Sequence, residues 1–330
     1  MTVIESTTFE YQVADCWEEA VELLALWGGE AKILAGGQSL VPMMNLRLAA
    51  PGALIDVTPI RSDGPFVDGD DLVIPATTRH AEVLRSPLVR RHCPLLAQAL
   101  SLVGNVRVRN RGTFGGSLAH ADPTGEIPCT VLAAGGRVTL QGPRGSRVVH
   151  ARDFFVTYLT TAAEPDEVVT EVRIPLRGPN SRWSFEERVR RFSDFATVEV
   201  AVAADLAADG HTVDRLDVVL GGVADRPLSL DGDVLAPLVG ASAEAELVRG
   251  VAEAAAERIE PESDVHASAD YRRRLTRVLT ERALSRALDP ATDTTTGLGT
   301  GTGTGIGTGI GTGTGTGTGT DTGTSGGAQR

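Results

Sequence analysis

Cysteine is scarce in this chain. Cys16, Cys93 and Cys129 are scattered over 330 positions, and no two form a CxxC pair. That excludes a disulfide framework and the four-thiolate spacings of iron–sulfur clusters, and it predicts a reducing, cytoplasmic compartment. Long apolar runs are missing as well: no stretch approaches the ~20 residues needed to cross a bilayer. The opening MTVIESTTFEYQV lacks the basic and apolar regions of a secretion signal. Positive charge is also in deficit, with 31 Lys and Arg against 43 Asp and Glu, a formal net charge of −12. A nucleic-acid groove needs a basic surface, so no nucleic-acid partner is expected. The dinucleotide fingerprint GxGxxG is absent too.

What is present is ordinary globular composition, 42% hydrophobic and 22% charged, in a chain long enough for two or three domains. In ADCWEEAVELLALWGG, Trp17, Ala20, Val21, Leu24 and Trp27 recur at helical spacing, with Asp15 as N-cap and Gly28 past the last periodic residue. AKILAGG and ALIDV read as short strands, so residues 1–57 form a βαβ-type unit. Residues 58–177 read as a second unit. It comprises a hairpin in FVDGDDLVIPA, helices in HAEVLRS and LVRRHCPLLAQALSLVG, and strands in GRVTLQGPRGSRVVHA and DEVVTEVRIP. Residues 178–290 form a third: FATVEVAVAADLAADGHTVDRLDVVLGG alternates on both sides of a turn, and two amphipathic helices follow. Strands followed by helices predict a small sheet with helices on one face, and the whole an α+β chain. From 291 to 330 Gly and Thr nearly alternate, a composition that cannot supply a core and is read as a disordered tail.

Two glycine stretches stand out. ILAGGQSL (33–40) follows a strand, and GTFGGSLAHADPTGEIP (112–128) sets Thr113 and Ser117 around a second pair. Glycine pairs expose backbone N–H groups and tolerate positive φ. Each stretch therefore suits either a tight turn or a phosphate cradle, the cradle more so if a helix starts at SLVPMMNLRLA. Gly36 and Gly115 are 79 positions apart, so two unrelated turns and one diphosphate gripped from two sides both remain open. The arginines of RVRNRG (107–112) suit either strand-edge charges or a phosphate patch.

ILAGGQSLVPMMNLRLAAPGALIDV, VRNRGTFGGSLAHADPTGEIP, RRFSDFATVEVAVA and ASADYRRRLTRVLTERAL, in this order, resemble the FAD-binding medium subunits of molybdenum hydroxylases. That is the xanthine dehydrogenase and carbon monoxide dehydrogenase family, and the likeness spans about residues 1–288. The resemblance implies a two-subdomain, PCMH-like FAD-binding domain followed by the third unit, and FAD bound non-covalently. Ile33, Leu34, Ala35, Gly36, Gly37, Gln38, Ser39 and Leu40 would wrap the diphosphate. Thr113, Phe114, Gly115, Gly116 and Ser117 would form a second cradle. Glu126 would accept from ribose hydroxyls, with Asp122 between them as a cofactor contact or as the turn residue before Pro123. His120 reads as structural. No residue is assigned a catalytic role and no metal site is expected.

The family's electrons come from a molybdenum-cofactor large subunit through a [2Fe–2S] small subunit, implying both as partners in a dimer of heterotrimers. FAD then delivers them to NAD+, a quinone or oxygen. One departure is visible: where the family usually has lysine before the Arg-Arg pair, FEERVRRFSDFA has Glu187, with Arg188 beside it. A carboxylate there would disfavour an anionic reduced flavin unless Arg188 compensates. Two other functions stay open on sequence grounds: a stand-alone FAD oxidoreductase, and a flavin-free assembly protein of the same fold.

Overall fold

The structure is a computed structural model that describes residues 8–230 and 232–289; the Gly/Thr-rich tail lies outside the described residues. The chain begins with β1 (Glu10–Val13), α1 (Trp17–Trp27), β2 (Ala31–Leu34), α2 (Leu40–Asn45) and β3 (Ala53–Asp56). The three strands form a parallel sheet in the order β1-β3-β2. Ala20, Val21 and Leu24, at helical spacing on α1, bury against Ala53 and Ile55. Gly28 ends the helix in the left-handed region, at φ 55°, its N–H on the Leu24 carbonyl. The N-terminus differs from expectation. Cys16 is the N-cap and makes no side-chain cap, while Glu19 reaches back to the Asp15 N–H at 2.8 Å.

The middle of the chain runs β4 (Phe66–Asp68), β5 (Asp71–Pro75), α3 (His80–Arg85), α4 (Pro87–His92), α5 (Pro94–Leu102), α6 (Val106–Arg111), α7 (Phe114–His120) and α8 (Glu126–Ala133). It continues with β6 (Arg137–Gly142), β7 (Gly145–His150), α9 (Ala151–Phe154), β8 (Phe155–Thr157), β9 (Thr160–Thr161) and β10 (Val168–Pro175). An antiparallel sheet, β4-β5-β10-β6-β7, packs its Leu72, Ile74, Val138, Leu140 and Val172 beneath the helices. The expected single helix across Cys93 is two, because Pro94 has no N–H to give and starts α5 instead. RVRNRG is helical, not a strand edge: the Asn105 side chain caps α6 by accepting from Arg107 N–H at 2.9 Å and Val108 N–H at 3.3 Å.

The last part is an antiparallel sheet, β11 (Ser181–Val189), β12 (Ala196–Leu206), β13 (Val213–Gly221) and β14 (Leu228–Ser229), followed by α10 (Gly232–Leu235), α11 (Ala245–Arg258) and α12 (Ala269–Leu288). The β12–β13 turn is held by Asp209, which accepts from the N–H groups of His211 and Thr212, both at 2.9 Å. Two-residue alternation sorts the faces. Val198, Val200 and Val202 pack with α11 and α12, the expected helical cover. The opposite face is closed as well: Trp183, Phe185, Ala201, Ala203 and Val219 join the core formed by α5, α8 and the middle sheet. β11, which the sequence did not reveal, supplies the two aromatic side chains of that contact, Trp183 and Phe185.

Candidate functional site

β2 ends at Leu34, and the backbone then turns through Gly36 and Gly37, the latter at φ 69°, into α2. Among the described residues, no protein group accepts a hydrogen bond from the N–H of Gly36, Gly37, Gln38, Ser39 or Leu40. The Gln38 side chain folds back on the Gly36 carbonyl at 3.1 Å instead of filling the turn. Ser39 stands at the N-cap of α2 without a side-chain cap bond. Five successive N–H groups without acceptors, three of them on residues that line a cleft, form a donor run of the kind that takes an anion.

The second stretch behaves differently. Phe114 N–H donates to Thr78 O and Gly115 N–H to Ala76 O, both at 2.9 Å; Gly116 N–H donates to Thr113 Oγ1 at 3.2 Å and Ser117 N–H to Thr113 O at 3.1 Å. Its glycines thus do not expose free donors, contrary to the reading of bare backbone. Gly115 is needed for packing, since a Cβ there would lie 2.4 Å from Ala76 Cβ. At Gly116 a Cβ would lie 2.6 Å from Thr113 Oγ1, the N-cap of α7. The hydroxyl of Ser117, 2.9 Å from His80 Nε2, is the polar group that this loop still offers.

The two stretches meet. A Cβ at Gly36 would lie 2.5 Å from Arg111 O and 2.7 Å from Gly112 Cα, and one at Gly116 would lie 3.9 Å from Ala35 Cβ. Beside this junction opens a cleft of about 460 Å³ lined by Leu34 to Gln38, Val41, Tyr11, Asp56, Thr58 and Arg111. Burial opposes charge on Asp56. The hydrogen bonds from the Tyr11 hydroxyl and from Thr58 N–H, the latter at 2.8 Å, outweigh it and hold the carboxyl below its usual range. Arg111, whose carbonyl accepts from Arg79, supplies a cation at the rim. Tyr11 and Asp56 escaped the sequence reading, whereas Arg111 belongs to the RVRNRG arginines read as strand-edge charges or a phosphate patch. Tyr11 lies within a strand and Asp56 closes one, signals too common to single them out.

Asp122 has a settled local role: its Oδ1 accepts from Thr124 N–H at 2.8 Å and Thr124 Oγ1 at 2.6 Å, while its Oδ2 lies 4.0 Å from His120 Nε2. Glu126 opens α8 and is buried, at the edge of a group of acids. Glu187 on β11 and Glu199 on β12 are direct cross-strand neighbours and so share the face that meets α8. Gly221 stands opposite Glu199 on β13, where a Cβ would fall 2.2 Å from Glu199 Oε1. Both Glu199 oxygens and Glu187 Oε2 have no hydrogen-bond partner among the described residues, and the neighbouring Cys129 thiol donates to Val219 O at 3.5 Å.

Burial pushes Glu126 up to about 7, with Asp122 adding and Arg109 opposing; burial and then Glu126 push Glu187 up to about 8. Glu199 is raised too, by burial first and then by Glu126 and Glu187. Glu187 is therefore a neutral acid near pH 7, so it does not place the negative charge that its sequence position suggested. Arg188 does not compensate it on this face. Alternation turns it to the side of Glu186, which pairs with Arg286 of α12 at 3.2 Å.

A cleft with an open N–H run at the ends of the parallel strands, where the Arg111 turn meets it, defines an anion-binding ligand site in an α+β chain. Residues 7–177 match the family described as FAD binding domain in molybdopterin dehydrogenase, and 183–287 the CO dehydrogenase flavoprotein C-terminal domain. The carbon monoxide dehydrogenase medium chain of Hydrogenophaga pseudoflava is 38% identical over 276 residues, 83% of this chain and 95% of that one. The nicotine 6-hydroxylase medium subunit of Paenarthrobacter nicotinovorans is 37% identical over 80% of this chain and 92% of its own length. A solved carbon monoxide dehydrogenase from H. pseudoflava superposes with a TM-score of 0.83 at 36% identity, covering 87% of this chain and 99% of that one. The chain belongs to the family of FAD-binding medium subunits of molybdenum-containing hydroxylases and dehydrogenases. No helix among the described residues is long and apolar enough to cross a membrane.

Proposed function

We propose that the open N–H run from Gly36 to Leu40 holds the diphosphate of a non-covalently bound FAD, with Ile33, Leu34 and Ala35 leading the chain into that turn. The observation that carries this reading is the run of five backbone donors without a protein acceptor at the mouth of a cleft. Thr113, Phe114, Gly115, Gly116 and Ser117 act as the opposing wall, touching the ligand through Ser117 and otherwise fixing the loop. Arg111 adds positive charge where two phosphates would sit. Asp56, kept charged by Tyr11 and Thr58, accepts from ligand hydroxyls, as does Glu126. Asp122 orders the loop between them. When bound, FAD supplies the exchange between single electrons from iron–sulfur clusters and pairs of electrons for an external acceptor.

In this reading the chain works in the cytoplasm as the electron-relay subunit beside a molybdenum-cofactor large subunit and a [2Fe–2S] small subunit, as a dimer of heterotrimers. The units 1–57, 58–177 and 178–290 are its three domains. The test is the visible spectrum of the chain, alone and co-expressed with the two partner subunits, with FAD quantified after acid release. Stoichiometric, acid-releasable FAD is expected. Protein without flavin in both preparations would refute the assignment and favour the assembly-protein alternative.

A further inference from the structure

Behind the second glycine loop lies a histidine that the cofactor reading does not use. His80, the first residue of α3, is 3% exposed. Its backbone N–H donates to Gly112 O at 3.0 Å, and its ring lies under the loop. Nε2 has two neighbours, Thr113 O at 2.9 Å and Ser117 Oγ at 2.9 Å. Nδ1 has no partner among the described residues.

These contacts fix the proton. A carbonyl oxygen can only accept, so Nε2 must carry the hydrogen; with the hydrogen on Nδ1, two lone pairs would face each other at 2.9 Å. A protonated Nε2 cannot accept from Ser117. The serine oxygen therefore takes a share of the same N–H, and its own hydrogen is left without an acceptor among the described residues. Burial, opposed by the Thr113 carbonyl and reinforced by Arg109 and Arg79, pulls the imidazole down to about 4 and keeps it neutral.

The geometry points to His80 as a positioning residue that commits the Ser117 hydroxyl to donate outward, to an anionic oxygen of the bound ligand. This rests on the reading of that ligand as FAD. It gives the loop, whose N–H groups from Phe114 to Ser117 are engaged by the protein, a side-chain donor for a phosphate. The ring also ties Thr113, the cap of α7, to the serine one turn on, so one neutral side chain sets both the position and the polarity of the loop.

The test combines nitrogen NMR of the 15N-histidine-labelled full chain with FAD titration of wild type and variants. The expected spectrum has His80 as the Nε2–H tautomer, without titration between pH 5.5 and 8. Ser117→Ala should weaken FAD binding about tenfold or more, the loss of one charge-assisted hydrogen bond. His80→Phe should do likewise, the double variant should bind no worse than Ser117→Ala, and His80→Gln, which keeps an N–H donor, should recover most of the affinity. An Nδ1–H tautomer in protein that binds FAD tightly, or additive losses in the double variant, would overturn the role of His80 and leave the FAD site standing. Wild-type protein that does not bind FAD would overturn the underlying reading together with it.

Discussion

Gly36 carries a heavier steric demand than its neighbour in the same pair. A Cβ at Gly37 would stand 3.3 Å from Val41 Cγ2 and meet mainly the strain of φ 69°, whereas at Gly36 it would strike the backbone of Arg111 and Gly112. Backbone cannot swing aside as a side-chain end can, so Gly36→Ala has to part the two loops. We expect it to cost about 1–3 kcal/mol, the range for overpacked sites, and to release FAD. Gly178→Ala, with open space around its Cβ and no positive φ, should leave both unchanged. Thermal unfolding and flavin content of the two variants check this; a fully flavinated Gly36→Ala protein of unchanged stability would refute it. The glycine pairs themselves were plain in the sequence. Their different uses were not, because what a glycine makes room for depends on which distant backbone arrives there: Arg111 for Gly36 and Ala76 for Gly115.

At the scale of elements, regular patterning made most strands and helices legible. The β12–β13 hairpin and α1 follow their alternation and helical spacing closely. β11 stayed hidden because its Glu186, Glu187 and Arg188 interrupt an alternating pattern, and the structure shows why they are tolerated. Glu186 answers Arg282 and Arg286 of α12, while Glu187 is half-buried beside the buried Glu199 as an acid. Two like carboxylates opposite each other in a sheet are destabilising once both ionise. The sign follows from linkage: Glu187 takes up protons on folding between its ordinary 4.5 and about 8, so the folded state binds more protons than the unfolded one throughout that window. Stability is then full below about pH 4.5, falls as pH rises towards 8, and levels off above. Each such group can add at most about 1.4 kcal/mol per pH unit to the slope. Glu187→Gln and Glu199→Gln should flatten the decline, measured as midpoint denaturant concentration from pH 5 to 8. An unaltered slope in both variants would mean that these acids ionise normally.

For the whole molecule, the decisive contact is the one between the last sheet and the helices before it. Trp183 and Phe185 of β11 sit in the same core as Leu95, Leu96 and Leu100 of α5, and Phe185 N–H donates to Gln98 Oε1 at 3.0 Å. Pro123 O accepts from Gly222 N–H at 2.8 Å, which ties the loop before Glu126 to the end of β13. The last sheet is therefore tied directly to the segment that carries Asp122 and Glu126. Burying those two aromatic side chains contributes roughly 3–6 kcal/mol at the usual rate for large apolar groups. That is comparable with the 5–15 kcal/mol, or about that, which separates a folded domain from its unfolded chain. A chain ending at residue 177 keeps the open N–H run of Gly36 to Leu40 but uncovers the apolar faces of α5 and α8. Such a fragment should unfold broadly and at lower temperature than the full chain, bind a hydrophobic dye, and retain little FAD. If it instead melted as sharply and as high as the full chain while holding stoichiometric FAD, the last sheet would be an independent module, and its buried acids would have no bearing on the cofactor.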